Sequence, residues 1–321
     1  MSLQEIRGRI EGTSMNAWQW LVVALGVLVN MLDGFDLLAD SLVAPVLTRD
    51  WGLSPRILGL LLAASPAGAA VGAFALSSIA DLWGRRNAIL INLALMGAGM
   101  LASATAHTVP LLFAMRFLAG AGVGAMAGCV GTLVFEYSSR GSRNLALGMV
   151  VIGYTVGVVL GTHVAKAFLG HYGWGALFVL GGALTLVLIP LIHFVMPESL
   201  EFLATRPRAG TLAQFNRHLR QLRMAPVGAL PPPPPRMAGS GVLDLLRMPI
   251  LPRQVLMGAS YFLYMTSSYF FLKWNNQMTT DAGFPTPTVW TSRSSPATAV
   301  SQVAWSSAGS AAACRSAPPP P

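Results

Sequence analysis

Three acidic residues lie within an otherwise apolar stretch near the start of the sequence. Asp33 and Asp36 flank Gly34-Phe35, and Asp40 follows one helical turn later. Residues three apart share a helix face, so the carboxyl groups of Asp33 and Asp36 would be neighbours. An acid at a membrane centre costs about 2.5 to 3.5 kcal/mol on insertion scales and usually faces a bundle interior or a water-filled cavity. Mutual repulsion favours a proton on one of the pair, which suits a proton relay. The alternative is that the helix begins or breaks here and the acids lie near water.

A short charged turn separates two later apolar stretches. It reads Asp81-Leu82-Trp83-Gly84-Arg85-Arg86. Gly84 permits a tight turn, and Asp81 can accept hydrogen bonds from a helix N-terminus or from an arginine. In isolation, Arg85 and Arg86 would be ordinary anchors at the inner membrane surface. Their spacing from Asp81 and Gly84 makes the turn a more specific signal.

Arg116 lies a few residues inside another apolar stretch and leads a glycine-rich run. An arginine in that position is unfavourable unless it is paired. Glu136 lies at the far end of the same stretch, where it either forms a surface ion pair with Arg140, one turn later, or has a functional role. The next apolar stretch carries a glycine at every fourth residue, which predicts close packing against another helix: Gly153, Gly157 and Gly161.

Composition excludes most soluble classes of protein. Hydrophobic residues make up 54% of the chain and charged residues 10%, whereas a soluble domain carries about 25% charged residues. The net charge of +9 would suit nucleic acid, but a membrane protein acquires the same excess from its inner loops. The five histidines and two cysteines lack metal-ligand spacing, and the sequence shows no nucleophile elbow or phosphate loop. We therefore expect no enzyme activity, no metal and no cofactor.

Seven stretches are long and apolar enough to cross a bilayer: 17–46, 57–80, 88–106, 109–135, 145–169, 174–196 and 255–274. Arginine is concentrated in the segments that are inside if the N-terminus is inside, whereas the outer segments hold Arg49 and Arg56, with Lys166 and Lys273 near helix ends. The positive-inside rule then predicts a multi-pass inner (plasma) membrane protein with a cytoplasmic N-terminus.

The segment after the sixth stretch contains an amphipathic helix and a proline run. One helix face carries Leu212, Phe215, Leu219 and Leu222, which predicts a helix lying on the inner membrane surface. Pro231 to Pro235 would form a stiff spacer. Residues 290–321 contain no Leu, Ile, Met, Phe or Tyr, which predicts a segment without fixed structure. It is either a disordered tail or, as we favour, the product of a reading-frame shift near Val289.

Together these motifs resemble the major facilitator superfamily. The turn at 81–86 resembles the superfamily signature G-x-x-x-D-R-x-G-R, although Ser77 replaces its first glycine and Leu82 its first arginine. Asp33-Gly34-Phe35-Asp36 resembles the D-G-x-D motif of the aromatic acid:proton symporters, and the Pro-Glu-Ser segment at 197–203 is similar to that branch. The resemblance runs from about Trp18 to Pro285. The family has twelve spans, and five of them are missing here.

The resemblance implies an all-α polytopic membrane protein: the N-terminal six-helix half of the major facilitator fold plus a seventh helix, which would pack poorly without its own bundle. The expected organisation is a cytoplasmic N-terminus (1–16), a six-helix bundle (17–196), a cytoplasmic linker (197–252), the seventh helix (253–289) and the tail (290–321).

The implied function is proton-coupled symport that imports aromatic carboxylic acids by alternating access, in a monomer whose partners are the substrate and the lipid bilayer, not nucleic acid. By this resemblance, Asp33 and Asp36 serve coupling or substrate handling, and Arg116 and Glu136 are candidates for charge relay. Arg116 would be the positive partner of an anionic substrate. The inner gate would comprise Asp81, Gly84, Arg85 and Arg86. The alternatives are a non-functional truncated fragment of such a transporter and a facilitator of another small organic anion.

Overall fold

A computed structural model of the protein describes residues 2–232 and 251–283, and the regular elements in these ranges are helices. In chain order they are α1 Leu3–Gly12, α2 Ala17–Trp51, α3 Pro55–Ala75, α4 Ser77–Trp83, α5 Arg85–Ala104, α6 Val109–Gly124, α7 Met126–Tyr137, α8 Arg143–Tyr172, α9 Gly175–Val195, α10 Leu200–Thr205, α11 Thr211–Gln221 and α12 Leu251–Asp281.

Seven helical segments of the described chain are long and apolar enough to cross a membrane, as the sequence predicts. Six of them are α2, α3, α5, α8, α9 and α12, and α6 with α7 supplies the other. The second span ends earlier than expected. The sequence pattern continues to residue 80, but α3 ends at Ala75, and the separate helix α4 begins at Ser77. The charged turn at 81–86 therefore begins within a short helix of its own.

Glycines allow the spans to pack closely in pairs. α8 lies along α2, and a Cβ atom added at Gly157 would overlap the Met31 carbonyl. α3 lies along α6, where a Cβ added at Gly120 would overlap the Ser65 backbone. The close packing predicted from the glycine spacing in α8 is therefore present, and α2 is the helix that α8 contacts.

One end of the bundle is covered by short helices. We call it the Arg-rich end: it carries α1, α4, α10 and α11, whose apolar residues join a single buried cluster. The sequence predicted the amphipathic helix α11 correctly but placed its apolar face on the membrane surface. Phe215 and Leu219 are instead buried in the protein, in the same cluster as Ile6 and Ile10 of α1. The interpretation was wrong because the bundle itself offers the apolar surface that this face covers.

The first part of the seventh span α12, residues 251–270, is exposed or half-buried. Side chains such as Val255, Tyr261 and Phe262 are exposed, whereas Lys273 and Gln277 near its end are buried. The final third of α12 is the part that packs against α2. Most of the proline run and all of the tail at 290–321 lie outside the described residues, so the expectations for them remain predictions.

Candidate functional site

A buried ion pair joins α2 to α6 in the middle of the bundle. The two carboxylate oxygens of Asp36 accept hydrogen bonds from Arg116, Oδ1 from Nη1 at 2.8 Å and Oδ2 from Nη2 at 3.0 Å. Both residues are 1% exposed. A two-pronged contact of this kind matches the planar guanidinium to the carboxylate and fixes their relative orientation. The structure thus brings together two of the residues that the sequence singled out separately.

Asp40 extends this pair to the seventh span. Its Oδ1 lies 2.6 Å from Nε of Arg116, and its Oδ2 accepts a hydrogen bond of 2.8 Å from Nζ of Lys273. Lys273 also donates to the Leu37 carbonyl at 2.8 Å. Nearby, the amide of Asn276 donates to the Ser41 hydroxyl at 3.0 Å. Polar contacts with α2 therefore hold the buried part of α12.

Asp33 lies one turn before Asp36 and differs from it in its surroundings. It is half-buried, and no described residue forms a hydrogen bond or an ion pair with its carboxyl group. Its electrostatic neighbours are Asp36 and Lys273, and the phenols of Tyr154 and Tyr269 also interact with it. Of the acids on this face of α2, Asp33 is the one available to bind a proton without breaking an ion pair.

Local packing explains why these side chains converge. Gly34 lies against the backbone of Tyr154, where an added Cβ would overlap the carbonyl oxygen, so α8 approaches α2 closely beside Asp33. The Phe178 ring lies 5.0 Å from the Arg116 guanidinium, which is within range for a cation–π contact. Asp40, Arg116 and Phe178 border a cavity of about 20 Å³, which is large enough for about one water molecule.

Glu136 is not part of this group. It lies 20 residues after Arg116 along α6 and α7, or about 30 Å at the helical rise. At the Arg-rich end its Oε1 accepts a hydrogen bond of 2.9 Å from the Ser199 hydroxyl. The surface pair with Arg140 considered above is not among the ion pairs of the described residues, and the Arg140 backbone N–H instead donates to the Glu11 carbonyl at 3.1 Å.

The charged turn at 81–86 is organised around Glu198. Arg85 forms an ion pair with Asp81, one turn away, and Gly84 adopts a φ of +100°, a conformation that favours glycine. The Glu198 carboxylate accepts hydrogen bonds from the backbone N–H groups of Arg86 at 3.1 Å and Ser199 at 2.9 Å. Burial raises the pKa of the Glu198 carboxyl, although these hydrogen bonds oppose the shift.

Comparison with known proteins decides the family. The family described as Major Facilitator Superfamily matches residues 23–313. The chain belongs to the major facilitator superfamily. This confirms the expected fold class, and membership of a transporter family agrees with the expectation that the chain is not an enzyme.

Among curated facilitators, the 4-hydroxybenzoate transporter PcaK of Pseudomonas aeruginosa is 34% identical over 204 residues, which are 64% of this chain and 46% of that protein. The gallate transporter of Pseudomonas putida is 34% identical over 203 residues, covering 63% of this chain and 45% of that protein. The benzoate transport protein of Acinetobacter baylyi is 26% identical, covering 63% and 44%. The chain thus spans about half the length of the curated relatives it matches.

Solved structures agree on the fold. The xylose transporter XylE from E. coli, in a partially occluded inward-open conformation, has a TM-score of 0.58 and 19% identity, and the match covers 65% of this chain and 54% of that one. A D-xylose-proton symporter has a TM-score of 0.61 and 16% identity, with 84% and 64% covered. At such identities the likeness shows the facilitator fold alone.

Sequence reasoning missed two partners in this facilitator. Lys273 was interpreted as a charge near a helix end, although an isolated lysine in the aromatic run 270–274 was a signal for a buried ion pair. Glu198 was noticed in the segment after α9, but nothing in the sequence connected it to the turn at 81–86, which lies more than a hundred residues earlier.

Proposed function

We propose that this facilitator takes part in the proton-coupled import of small aromatic carboxylates by alternating access. The observation that carries the proposal is the buried charge group formed by Asp36, Asp40, Arg116 and Lys273, with Asp33 beside it. Curated relatives that are named as transporters of 4-hydroxybenzoate, gallate and benzoate support the substrate class.

The different surroundings of the acids support the proposed proton coupling. Asp36 and Asp40 are neutralised by Arg116 and Lys273, so removing their charge would leave a buried cation without its partner. Asp33 lacks such a pair among the described residues and lies beside the charge of Asp36. A proton on Asp33 relieves repulsion and desolvation together. A more acidic exterior would then load Asp33, and a more alkaline cytoplasm would release the proton.

The proposed orientation puts the Arg-rich end in the cytoplasm of a cell whose inner (plasma) membrane the chain crosses. Arginine enrichment at that end supports the assignment. The turn at 81–86 and Glu198 then lie at the inner gate, where the hydrogen bond from Arg86 to Glu198 links α5 to the segment after α9. The proposed transporter works as a monomer in the bilayer, without a cofactor, and the proton is its coupling ion.

Uptake in cells tests this proposal. Bacteria expressing the 321-residue chain are compared with cells carrying an empty vector for accumulation of labelled 4-hydroxybenzoate, with and without a protonophore. We expect accumulation above the vector level that the protonophore abolishes. Accumulation that is indifferent to the protonophore would contradict proton coupling, and accumulation at the vector level would contradict import by this chain.

A further inference from the structure

We infer that Lys273 anchors the carboxylate of the substrate, and that Asp40 is the resident counter-ion which the substrate displaces from it. This inference rests on the proposed function, because it names the group that recognises the substrate class. It concerns the contact between α2 and α12, where the Lys273 ammonium is buried between Asp40 and the Leu37 carbonyl.

Arg116 is poorly suited to receive an additional anion. Each of its guanidinium nitrogens already contacts a carboxylate: Nη1 and Nη2 contact Asp36, and Nε contacts Asp40. Recruiting it to a substrate would separate buried ion pairs, which is strongly unfavourable when a charge is left unpaired. An ammonium group has three donors, and among the described residues Lys273 donates one to the Leu37 carbonyl and another to Asp40.

Asp40 can release Lys273 without becoming an isolated charge. Its Oδ1 lies 2.6 Å from Nε of Arg116. Its Oδ2 accepts one hydrogen bond of 3.3 Å from Nη2 of Arg116 and another of 2.8 Å from Nζ of Lys273. When Lys273 turns to a substrate carboxylate, Asp40 keeps its ion pair with Arg116. One anion then replaces another on Lys273, and both cations remain paired throughout the exchange.

The charge balance of the site explains why a proton accompanies the substrate. With all groups ionised, Asp33, Asp36 and Asp40 oppose Arg116 and Lys273, so the site carries one excess negative charge. A bound carboxylate adds another negative charge, and a proton on Asp33 offsets it. Substrate binding at Lys273 and proton binding at Asp33 therefore favour each other, and this reciprocity is required of any linked pair of ligands.

Displacing Asp40 also changes how α12 is held. In the described residues, three side chains of α12 form polar contacts with α2: Lys273, Asn276 with the Ser41 hydroxyl, and Gln277 with the Thr48 hydroxyl at 3.4 Å. Most of the remaining helix is exposed. A substrate that takes Lys273 from Asp40 thereby loosens α12 from α2. The binding event and the movement of one helix against the other then share the same ion pair.

Equilibrium binding to the purified chain in lipid nanodiscs tests the inference. The probes are labelled 4-hydroxybenzoate and its uncharged methyl ester, and the variants are Lys273→Gln, Lys273→Arg and, as a control, Lys166→Gln at the other lysine of the chain. Losing a charge-assisted contact should weaken 4-hydroxybenzoate binding by Lys273→Gln about tenfold or more. Methyl ester binding should stay unchanged, Lys273→Arg should retain part of the affinity, and Lys166→Gln should behave as the wild type.

The contrary outcomes distinguish a failure of the Lys273 anchor from a failure of the proposed function. If the wild type binds 4-hydroxybenzoate and Lys273→Gln binds it equally well, Lys273 is not the anchor, while the proposed substrate class stands. Equal affinity of the wild type for the acid and its methyl ester would also overturn the anchor. A wild-type chain that binds no aromatic carboxylate would overturn the proposed function itself. Unchanged methyl ester binding by Lys273→Gln shows that this variant is folded. If both Lys273→Gln and Lys273→Arg lose methyl ester binding, Lys273 has a structural role and is not the anchor.

Discussion

Lys273 and Asp40 form a buried ion pair across 233 residues of sequence, with Nζ of the lysine 2.8 Å from Oδ2 of the aspartate. The pair joins the seventh span to the first, although most side chains of α12 are exposed. Electrostatic pairing therefore holds this part of α12 in place where apolar burial is slight. Because Asp40 also contacts Arg116, the stability of the whole charge group depends on the arginine at its centre.

Replacing Arg116 with glutamine should destabilise the protein more than most substitutions do. The change leaves Asp36 and Asp40 buried without the cation that contacts both. Breaking a buried pair from one side typically costs about 3 to 5 kcal/mol. Arg49→Gln is the matched control, since it removes an exposed ion pair with Asp50 and should change stability by about 1 kcal/mol or less. Thermal unfolding in detergent measures both, and equal midpoints for the two variants would refute the prediction.

The free-energy cost of burying a charge explains which residues of the charge group could be identified from the sequence. Asp36 and Arg116 were singled out from sequence because each is unfavourable in an apolar span unless paired. Their mutual contact was not foreseen, because it depends on how α2 and α6 meet in three dimensions. Lys273 was misjudged for a different reason: its position near the end of an apolar stretch also suits a lysine that reaches the membrane surface.

Elements other than the seven spans were harder to foresee. The seven spans follow from hydropathy, but α1 is a short polar helix that hydropathy overlooks. Its start was encoded by Ser2 and Glu5, which form a capping box in the structure. The apolar face of α11 was recognised, whereas its burial was not, because the cluster that it joins also contains residues from distant parts of the chain, such as Ile6 and Ile10 of α1.

Alanine at Gly157 should destabilise the protein, whereas alanine at Gly148 of the same helix should not. The added Cβ at Gly157 would overlap the Met31 carbonyl and force α8 away from α2, an overpacking effect of about 1 to 3 kcal/mol. Gly148 has open space around it, so alanine there should be neutral or stabilise the helix by about 0.5 to 1 kcal/mol. Unfolding midpoints of the two variants should move in different directions. A common shift would show that helix propensity, not contact with α2, determines the result.

Acidification should weaken the packing of α11 against the rest of the Arg-rich end, because His218 then gains a proton. Burial lowers the pKa of His218 below 6.5, the nearby charges of Arg86 and Arg217 lower it further, and its hydrogen bond with Gln221 opposes the shift. A histidine with a lowered folded-state pKa stabilises the fold above its ordinary pKa, and this contribution is lost as the pH falls through the folded value. Amide protection factors in α11, which correct for the slower intrinsic exchange in acid, should therefore fall below about pH 6.5.

His218→Gln should remove that acid sensitivity, because glutamine keeps a polar group but does not titrate. The exposed His171 on α8 provides the control, and His171→Gln should retain the wild-type pH profile. A loss of amide protection in acid that persists in His218→Gln would show that another group, such as Glu11, controls the docking of these helices. The pKa of Glu11 is lowered by its hydrogen bond with Arg143, so its stabilising effect is also lost on acidification, but at lower pH.

Reporter fusions should locate the Arg-rich end in the cytoplasm. A fusion after Arg143, at the start of α8, should be cytoplasmic, and a fusion after His171, near the end of that helix, should be external. The reason is the concentration of arginine in the segments at one end of the bundle. Paired alkaline phosphatase and green fluorescent protein fusions report the two sides independently. The reverse pattern would place the turn at 81–86 outside and remove it from the inner gate.

Asp33→Asn should uncouple substrate binding from pH without weakening the fold. Asparagine preserves the size of the side chain, and no ion pair of the described residues is broken, so the unfolding midpoint should stay near that of the wild type. Wild-type affinity for 4-hydroxybenzoate should fall as the pH rises, because an ionised Asp33 adds negative charge beside an incoming anion. The variant stays neutral at every pH and should bind equally well across the range in which the substrate is ionised.

Asp50→Asn, at an exposed position, serves as the control for this variant and should keep the wild-type pH profile. Proton uptake on binding, followed with an indicator dye in weakly buffered solution, provides a second readout. The wild type should take up a proton with the substrate, and Asp33→Asn should not. If Asp33→Asn retains both the pH-dependent affinity and the proton uptake, the coupling proton binds elsewhere in the charge group. Asp40, which shares its carboxylate between Arg116 and Lys273, would then be the next residue to replace.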